Sequence, residues 1–234
     1  MKRRIKMINV TGDTHGLNDY GKLHIFAGEN PSLTYDDYVI IAGDFGGVWS
    51  EETLVKWLKP YKDLPFTVLF VDGNHENFDM LNAYPVEMWK GGKIHRIADN
   101  IIHLMRGQVF TIEGKTIFSF GGGTSIDRGW RVHGRSWWPQ EIPSLEEYDE
   151  AMKNLKEHNF KVDFIITHSC DERALYYPPL SNCGKAMNTY PDNRILTNFE
   201  ETVDYGHWYF GHYHVDGDLT DRKTALCNKI IRIN

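Results

Sequence analysis

Three runs near the start of the chain, Ile5–Val10, Tyr38–Ala42 and Phe66–Val71, are short, apolar and β-branched, and each ends in a turn of Gly, Asp or Asn. They predict buried strands. Between the second and third, Glu51–Leu58 has helical spacing with Trp57 and Leu58 on its apolar side, and Pro60 is expected to stop it. Glu76–Asn82 predicts a short helix before Pro85. From Ile94 the strands shorten: Ile94–Ile97, Ile101–Leu104, Val109–Ile112 and Thr116–Phe120, the last two joined by the hairpin-like Glu113-Gly114-Lys115. Ser144–Glu157 predicts a helix capped by Ser144, with Glu147 completing a capping box and Leu145, Tyr148, Met152 and Leu155 forming one face. A buried strand at Val162–Thr167, a turn-rich loop at Pro178–Pro191 and a helix from Arg194 to about Val203 follow. His207–Phe210, Val215–Leu219 and Ile230–Ile233 make a β-rich end. No linker, repeat or low-complexity segment interrupts this order. One domain over residues 1–234 is therefore expected, an α/β fold of two facing sheets with helices outside.

The turns that end these strands carry the chemistry. Asp13-Thr14-His15, Gly43-Asp44, Gly73-Asn74-His75-Glu76, His168 and Gly211-His212-Tyr213-His214 each follow an apolar run. Open α/β sheets place their sites at such strand ends. Asp13 and His15 are two apart, as are His212 and His214, so in an extended backbone each pair could face one centre. Gly12, Gly43, Gly73 and Gly211 precede proposed ligands, where a sharp turn needs positive φ or close backbone approach. Carboxylate, amide and imidazole groups without a thiolate favour Mn²⁺, Fe or Zn²⁺ over copper or an iron–sulfur cluster.

Composition narrows the setting. The 234 residues are 41% hydrophobic, ordinary for a chain with a real core, and no apolar run approaches the ~18 residues of a membrane span. Met1-Lys2-Arg3-Arg4 is basic, but the following apolar stretch is short and contains Lys6 and Asn9, so it reads as a lead-in to the first strand of a cytoplasmic protein. Three cysteines without CxxC spacing support neither a disulfide framework nor a zinc ribbon. A formal charge of −6 argues against a broad nucleic-acid surface.

The ordered set D-x-H, G-D, G-N-H-E, H and G-H-x-H, running from Asp13 to His214, resembles the calcineurin-like metallophosphoesterase superfamily. The resemblance implies a four-layer α/β/β/α sandwich of two mixed sheets between helices. It implies two divalent ions, Mn²⁺ first, with Fe or Zn²⁺ as alternatives. Asp13, His15 and His214 would hold one, and Asn74, His168 and His212 the other, with Asp44 bridging both. In such a pair, cations roughly 3.5–4 Å apart clamp a phosphate oxygen and lower the pKa of a bound water from ~15.7 towards ~7, giving a hydroxide for in-line attack. His75 would protonate the leaving alkoxide, a role worth ~10²–10⁴ in rate, and Asn74 would also face the substrate. The implied activity is phosphoric ester hydrolysis of monoesters or diesters on a small molecule or nucleotide. Protein phosphatase and nuclease are alternatives, and a non-catalytic scaffold is a rival from another class. Protein-phosphatase-like members carry a second Asp after the G-D block that orients the catalytic His. Asp44-Phe45-Gly46-Gly47-Val48-Trp49 has none, leaving Glu76, a distant carboxylate such as Asp127, or a less tuned His75.

A second constellation, Gly121-Gly122-Gly123-Thr124-Ser125-Ile126-Asp127-Arg128, runs into Trp130, Arg131, His133, Arg135, Trp137 and Trp138. It lacks P-loop spacing. Arg128 and Arg131 are candidate substrate-binding residues, because Arg forks onto phosphate oxygens and Trp stacks on a base or sugar. Packing of the tryptophans on the core is the competing reading. His24, His95, His103 and His158 sit in ordinary strand or helix contexts and are read as surface or satisfied core groups.

Overall fold

The structure, a computed structural model, describes residues 6–182 and 188–234. The basic lead-in, Ile5 of the first expected strand and residues 183–187 of the expected Pro178–Pro191 loop lie outside the described residues. Six strands come first: β1 (Ile8–Thr11), β2 (Tyr38–Ala42), β3 (Thr67–Val71), β4 (Val86–Trp89), β5 (Gly92–Ala98) and β6 (Ile101–Leu104). The next six, β7 (Gln108–Ile112), β8 (Lys115–Phe120), β9 (Lys161–Thr167), β10 (Asp204–Phe210), β11 (Gly217–Thr220) and β12 (Lys223–Ala225), form a second sheet. β13 (Ile230–Arg232) then returns to the edge of the first. The sheet orders are β13-β1-β2-β3-β6-β5-β4 and β11-β12-β10-β9-β8-β7. The central strands of each are parallel and the antiparallel pairings lie towards the edges. The helices are α1 (Gly21–Glu29), α2 (Glu51–Lys62), α3 (Phe78–Leu81), α4 (Leu145–Glu157) and α5 (Pro191–Thr202).

Side-chain alternation builds the layers, because successive residues of a strand face opposite sides. In β2 and β3, Ile40, Leu69 and Val71 face Phe110, Ile117, Ile166 and Tyr209 of the second sheet. Val39, Ile41, Val68 and Phe70 point the other way, against Leu23 of α1 and Leu58 and Tyr61 of α2. The second sheet turns Phe118, Ile165, Trp208 and Phe210 outward onto Ala151 and Leu155 of α4 and Leu196 and Phe199 of α5. Three apolar interfaces thus separate four layers, α/β/β/α. Being apolar on both faces is what makes β2 and β3 unbroken hydrophobic runs in the sequence.

Several expectations need correction. Pro60 lies inside α2. It lacks only its own N–H, while its carbonyl accepts from Tyr20 Oη at 2.8 Å and the adjoining Tyr61 is fully buried, so tertiary contacts keep the last turn helical. Leu145 does not join the buried face of α4: it sits immediately after the Ser144 cap and is 77% exposed, whereas the capping box itself forms as expected. The helix expected from Glu76 begins only at Phe78, capped by Asn77. The helix expected from Arg194 begins at Pro191. β4 and β12 had no readable signal. The first is an exposed edge strand, and the second is three residues whose Lys223 is buried only because Asp171 and Glu200 pair with it at 2.6 and 2.9 Å.

One buried ion pair fixes the end of β3. Arg106 Nε and Nη2 both donate to Asp72 Oδ2, at 2.9 and 2.5 Å, and His103 Nε2 lies 3.2 Å from Oδ1. Burial opposes ionisation of Asp72, but the guanidinium and His103 hold its carboxyl below the usual carboxylate range. Asp72→Asn would strand a buried guanidinium. Urea unfolding at pH 7 should show a loss of about 3 kcal/mol, and a loss under about 1 kcal/mol would mean that Glu147 and the Gln140 carbonyl suffice for Arg106.

Candidate active site

All seven expected donors lie on turns leaving the C-terminal ends of parallel strands. Asp13 and His15 follow β1, Asp44 follows β2 and Asn74 follows β3, while His168 follows β9 and His212 and His214 follow β10. The first sheet supplies four of the donors and the second three. The sheets are tied together by His168, whose Nδ1 is 2.9 Å from the Ala42 carbonyl of β2 and whose Nε2 is 3.1 Å from Asn74 Oδ1.

The backbone that presents these groups is strained at the donors themselves. His15, Asp44, His212 and His214 have φ of 45°, 50°, 67° and 55°, a region costly for residues with a Cβ and concentrated at functional sites. The extended-backbone reading of the two i, i+2 pairs is therefore corrected: tight left-handed turns, not strand geometry, aim these side chains. As a result His212 and His214 diverge. His212 Nδ1 lies 3.2 Å from His168 Nε2, and His214 Nε2 lies 3.2 Å from Asp13 Oδ2. Of the four glycines preceding donors only Gly43 has positive φ, at 89°, and a Cβ there would also collide with the His168 ring.

Asp13, His15 and His214 form one cluster of potential ligand atoms, and Asp13, Asp44 and His168 another. Asp44 stands between them, with Oδ2 3.2 Å from His15 Nε2 and Oδ1 3.3 Å from His168 Nε2. Asp13 Oδ2 is buried with no well-formed hydrogen bond among the described residues. Nitrogens of His214 and His15 surround it at 3.2 and 3.9 Å, an arrangement suited to a shared cation.

Asp13 and Asp44 are 2% and 1% exposed. Burial opposes their ionisation, but His214 and His168 hold Asp13 low, and His168 and His15 hold Asp44 low. The histidines answer. Burial disfavours the charged ring of His15, yet Asp44, Asp13 and Asp19 raise its pKa to about 9. His168 is likewise driven against its burial to about 10 by Asp44 and Asp13. Burial and the neighbouring His168 lower His212 to about 4. Protein groups alone thus balance two buried negative charges by retaining protons on two potential ligands. Divalent cations fit this donor set.

His75 sits at the mouth of the site. Its backbone N–H donates to Asp44 Oδ1 at 2.7 Å, and Arg131 Nη2 is 3.1 Å from its ring Nε2. Arg131 Nε in turn donates to Asp127 Oδ1 at 2.6 Å. Asp127 therefore reaches His75 through Arg131. Glu76 does not: its carboxylate accepts the N–H groups of Phe45 and Gly46, at 2.7 and 3.2 Å, and so pins the loop after Asp44. Arg131 lines a cavity of about 220 Å³ with Asp44, Asn74, His75, His212 and His214, and Arg128 is not part of that lining. Arg128 lies over Trp137, with Nε 3.8 Å from Glu141. The tryptophans divide. Trp138 is core, 2% exposed with Nε1 bonded to Asp79, whereas Trp130 is 92% exposed.

Sequence reasoning missed the far wall of this cavity, where Tyr190, Asp192 and Asn193 at the start of α5 join Ser169 and Tyr213. It also missed Lys22, whose Nζ donates to the Gly12 and Asp13 carbonyls at 2.9 and 2.5 Å, and Ser125 and Glu141. Tyr213 lies within G-H-x-H and Ser125 within the glycine-rich run, but no role was read for either, and the others carry no motif. Only the packing of distant segments brings them here.

The calcineurin-like phosphoesterase family model matches residues 7–216. The chain belongs to that family. Its members are metal-dependent enzymes acting on phosphate esters, which is the chemistry these donors suit. Similar solved structures include phosphopantetheinyl hydrolase from Mycobacterium tuberculosis, at 16% identity and a TM-score of 0.46, over 94% of this chain and 87% of that one. They also include 5'-nucleotidase from Candida albicans SC5314, at 17% identity and a TM-score of 0.44, over 96% of this chain but 45% of that one. No curated protein matches the sequence. Among the described residues no helix is long and apolar enough to cross a membrane.

Because ligand histidines bind as neutral rings, cation binding to this phosphoesterase should release about two protons near pH 7.5, from His15 and His168. Affinity should then rise with pH towards the range of about 9 to about 10 in which those rings lose their protons unaided. Calorimetry of Mn²⁺ in buffers of differing ionisation enthalpy measures this directly. Proton-neutral binding would remove both histidines from the ligand set.

Proposed function

We propose that this phosphoesterase uses two divalent cations to hydrolyse phosphomonoesters or phosphodiesters on small molecules or nucleotides. The observation that carries this reading is Asp44, whose two oxygens face different donor groups, His15 on one side and His168 on the other. Asp13, His15 and His214 would hold one ion, and Asn74, His168 and His212 the second, with Asp44 shared. Mn²⁺ is the first choice for an oxygen and imidazole donor set, ahead of Fe or Zn²⁺. When bound, the ions supply positive charge for phosphate oxygens and an acidified water as nucleophile.

The residues at the mouth then divide the remaining work. A guanidinium only donates, so the Arg131 contact leaves His75 Nε2 as the acceptor. Burial, with Arg131 and His15 nearby and Asp44 opposing, lowers the pKa of His75, and the resting ring is neutral with its proton on Nδ1. A phosphate dianion competes for Arg131 more strongly than imidazole does. Once Arg131 turns to the phosphate, its positive charge no longer opposes protonation of the ring, and His75 can take a proton from solvent on Nε2 and pass it to the leaving oxygen. Asp127 keeps the guanidinium within reach of both partners. A cavity of about 220 Å³ supports a compact substrate rather than a folded protein segment.

The test is a panel of mono-, di- and cyclic phosphates with Mn²⁺-loaded protein. Metal-replete protein inert to p-nitrophenyl phosphate, bis-p-nitrophenyl phosphate and nucleotides would favour a non-catalytic scaffold instead. His75→Ala should lower kcat ~10²–10⁴ for alkyl esters, whose leaving group needs a proton, and far less for p-nitrophenyl esters. Equal losses on both would end its role as the acid. Arg131→Ala should raise KM at unchanged metal content; an unchanged KM would take Arg131 out of substrate binding.

A further inference from the structure

The glycine-rich turn after β8 leaves a parallel strand at the same end as the turns that carry the donors, yet the mechanism above gives Gly121–Ser125 no task. Four of the turn's five residues, Gly122 to Ser125, are nevertheless committed. Gly122 N–H donates to the Asp72 carbonyl at 2.9 Å and Gly123 N–H to the Glu141 carbonyl at 3.0 Å. Thr124 Oγ1 donates to Asp192 at 2.5 Å. Gly123 lies so close to the donors that an added Cβ would come within 2.9 Å of the His168 ring, 3.5 Å of Asn74 Oδ1 and 3.6 Å of His212 Nδ1.

The next residue makes the decisive contacts. Asn74 Nδ2 donates to Ser125 Oγ at 3.2 Å, and Ser125 Oγ donates to Glu141 Oε2 at 2.6 Å. The other carboxylate oxygen, Oε1, accepts the Ser125 N–H at 3.0 Å. Glu141 is 0% exposed, and both oxygens of this wholly buried side chain hydrogen-bond to the one serine. The chain has a direction, amide to hydroxyl to carboxylate. An Asn side chain is nearly symmetric in shape, and its orientation is set by what its NH₂ group finds to donate to. Here that partner turns Asn74 Oδ1 towards His168 Nε2, 3.1 Å away.

We propose that Ser125 and Glu141 are positioning residues for Asn74, and that the Gly121–Ser125 turn brackets the cation site of Asn74, His168 and His212. This rests on the two-cation reading. Arg128, expected at the substrate, then gains a different task as the countercharge beside Glu141, 3.8 Å away. Groups that orient metal ligands typically change affinity by ~10–100-fold when removed.

The experiment is calorimetric titration with Mn²⁺, alongside melting of the same protein in chelator. Wild type should show two ions. Ser125→Ala should weaken one of them ~10–100-fold, leave the other unchanged and melt like wild type in chelator, and Ser125→Thr should restore binding. In an Asn74→Ala background Ser125→Ala should add nothing, because its effect passes through that amide. Glu141→Gln, which keeps one acceptor of two, should give a smaller loss at the same site, and it decides the matter if Ser125→Ala does not fold. Two ions bound by Ser125→Ala with wild-type affinities, or losses that add in the double variant, would overturn the proposal alone. Fewer than two ions in wild type would overturn the two-cation reading and this proposal with it.

Discussion

Two ionised carboxylates buried where two sheets meet set the terms for everything around them. Asp13 and Asp44 cannot remain charged at 2% and 1% exposure without close positive partners. The fold supplies those partners from both sheets, His15 from the first and His168 from the second, with His214 beside Asp13. Turns on both sheets must therefore deliver side chains to one point with little tolerance. Left-handed φ at four donors, a glycine where a Cβ would strike the His168 ring, and the Glu76 carboxylate holding two N–H groups all serve that delivery.

The fold was legible because its central strands are buried on both faces. Tyr38–Ala42 and Ile101–Leu104 have the same limits in sequence and structure: the first run holds no charged or amide side chain, and the second is interrupted only by His103, buried against Asp72. Elements held by tertiary contacts were not legible. Pro60 reads as a helix stop until Tyr61 is seen to be buried beneath it. β12 reads as polar surface until Asp171 and Glu200 are seen around Lys223. Leu145 fits the apolar spacing of α4, but spacing alone does not say that the first residue after a cap faces solvent.

The candidate site divides in the same way. Its donors could be read because each sits on a Gly, Asp, Asn or His turn directly after a strand, so strand prediction located them. How they converge could not be read, because that depends on backbone turns of a hand that sequence spacing does not encode. The supports were invisible for a further reason. Glu141 ends a short 3₁₀ turn and Ser125 ends a glycine run, and neither is remarkable in the chain until the two meet behind Asn74. The Arg/Trp stretch was legible only as a composition. Its residues separate into a cavity-facing Arg131, an Arg128 over Trp137 and beside Glu141, a core Trp138 and an exposed Trp130.

The division of donors between two sheets also couples binding to folding. A ligand that binds only the folded arrangement stabilises it in proportion to the logarithm of its free concentration over its dissociation constant. Cations held by Asp13, Asp44 and His168 together would bridge the sheets at the polar end of an otherwise apolar interface. The strained turns and the buried like charges work against the fold when protein groups alone must balance them. Bound cations would offset the like charges, while the strain of the turns would remain. The same carboxylates that would gather the reaction's positive charge would then also join the two halves of the sandwich, so that the site and the inter-sheet packing would gain stability together.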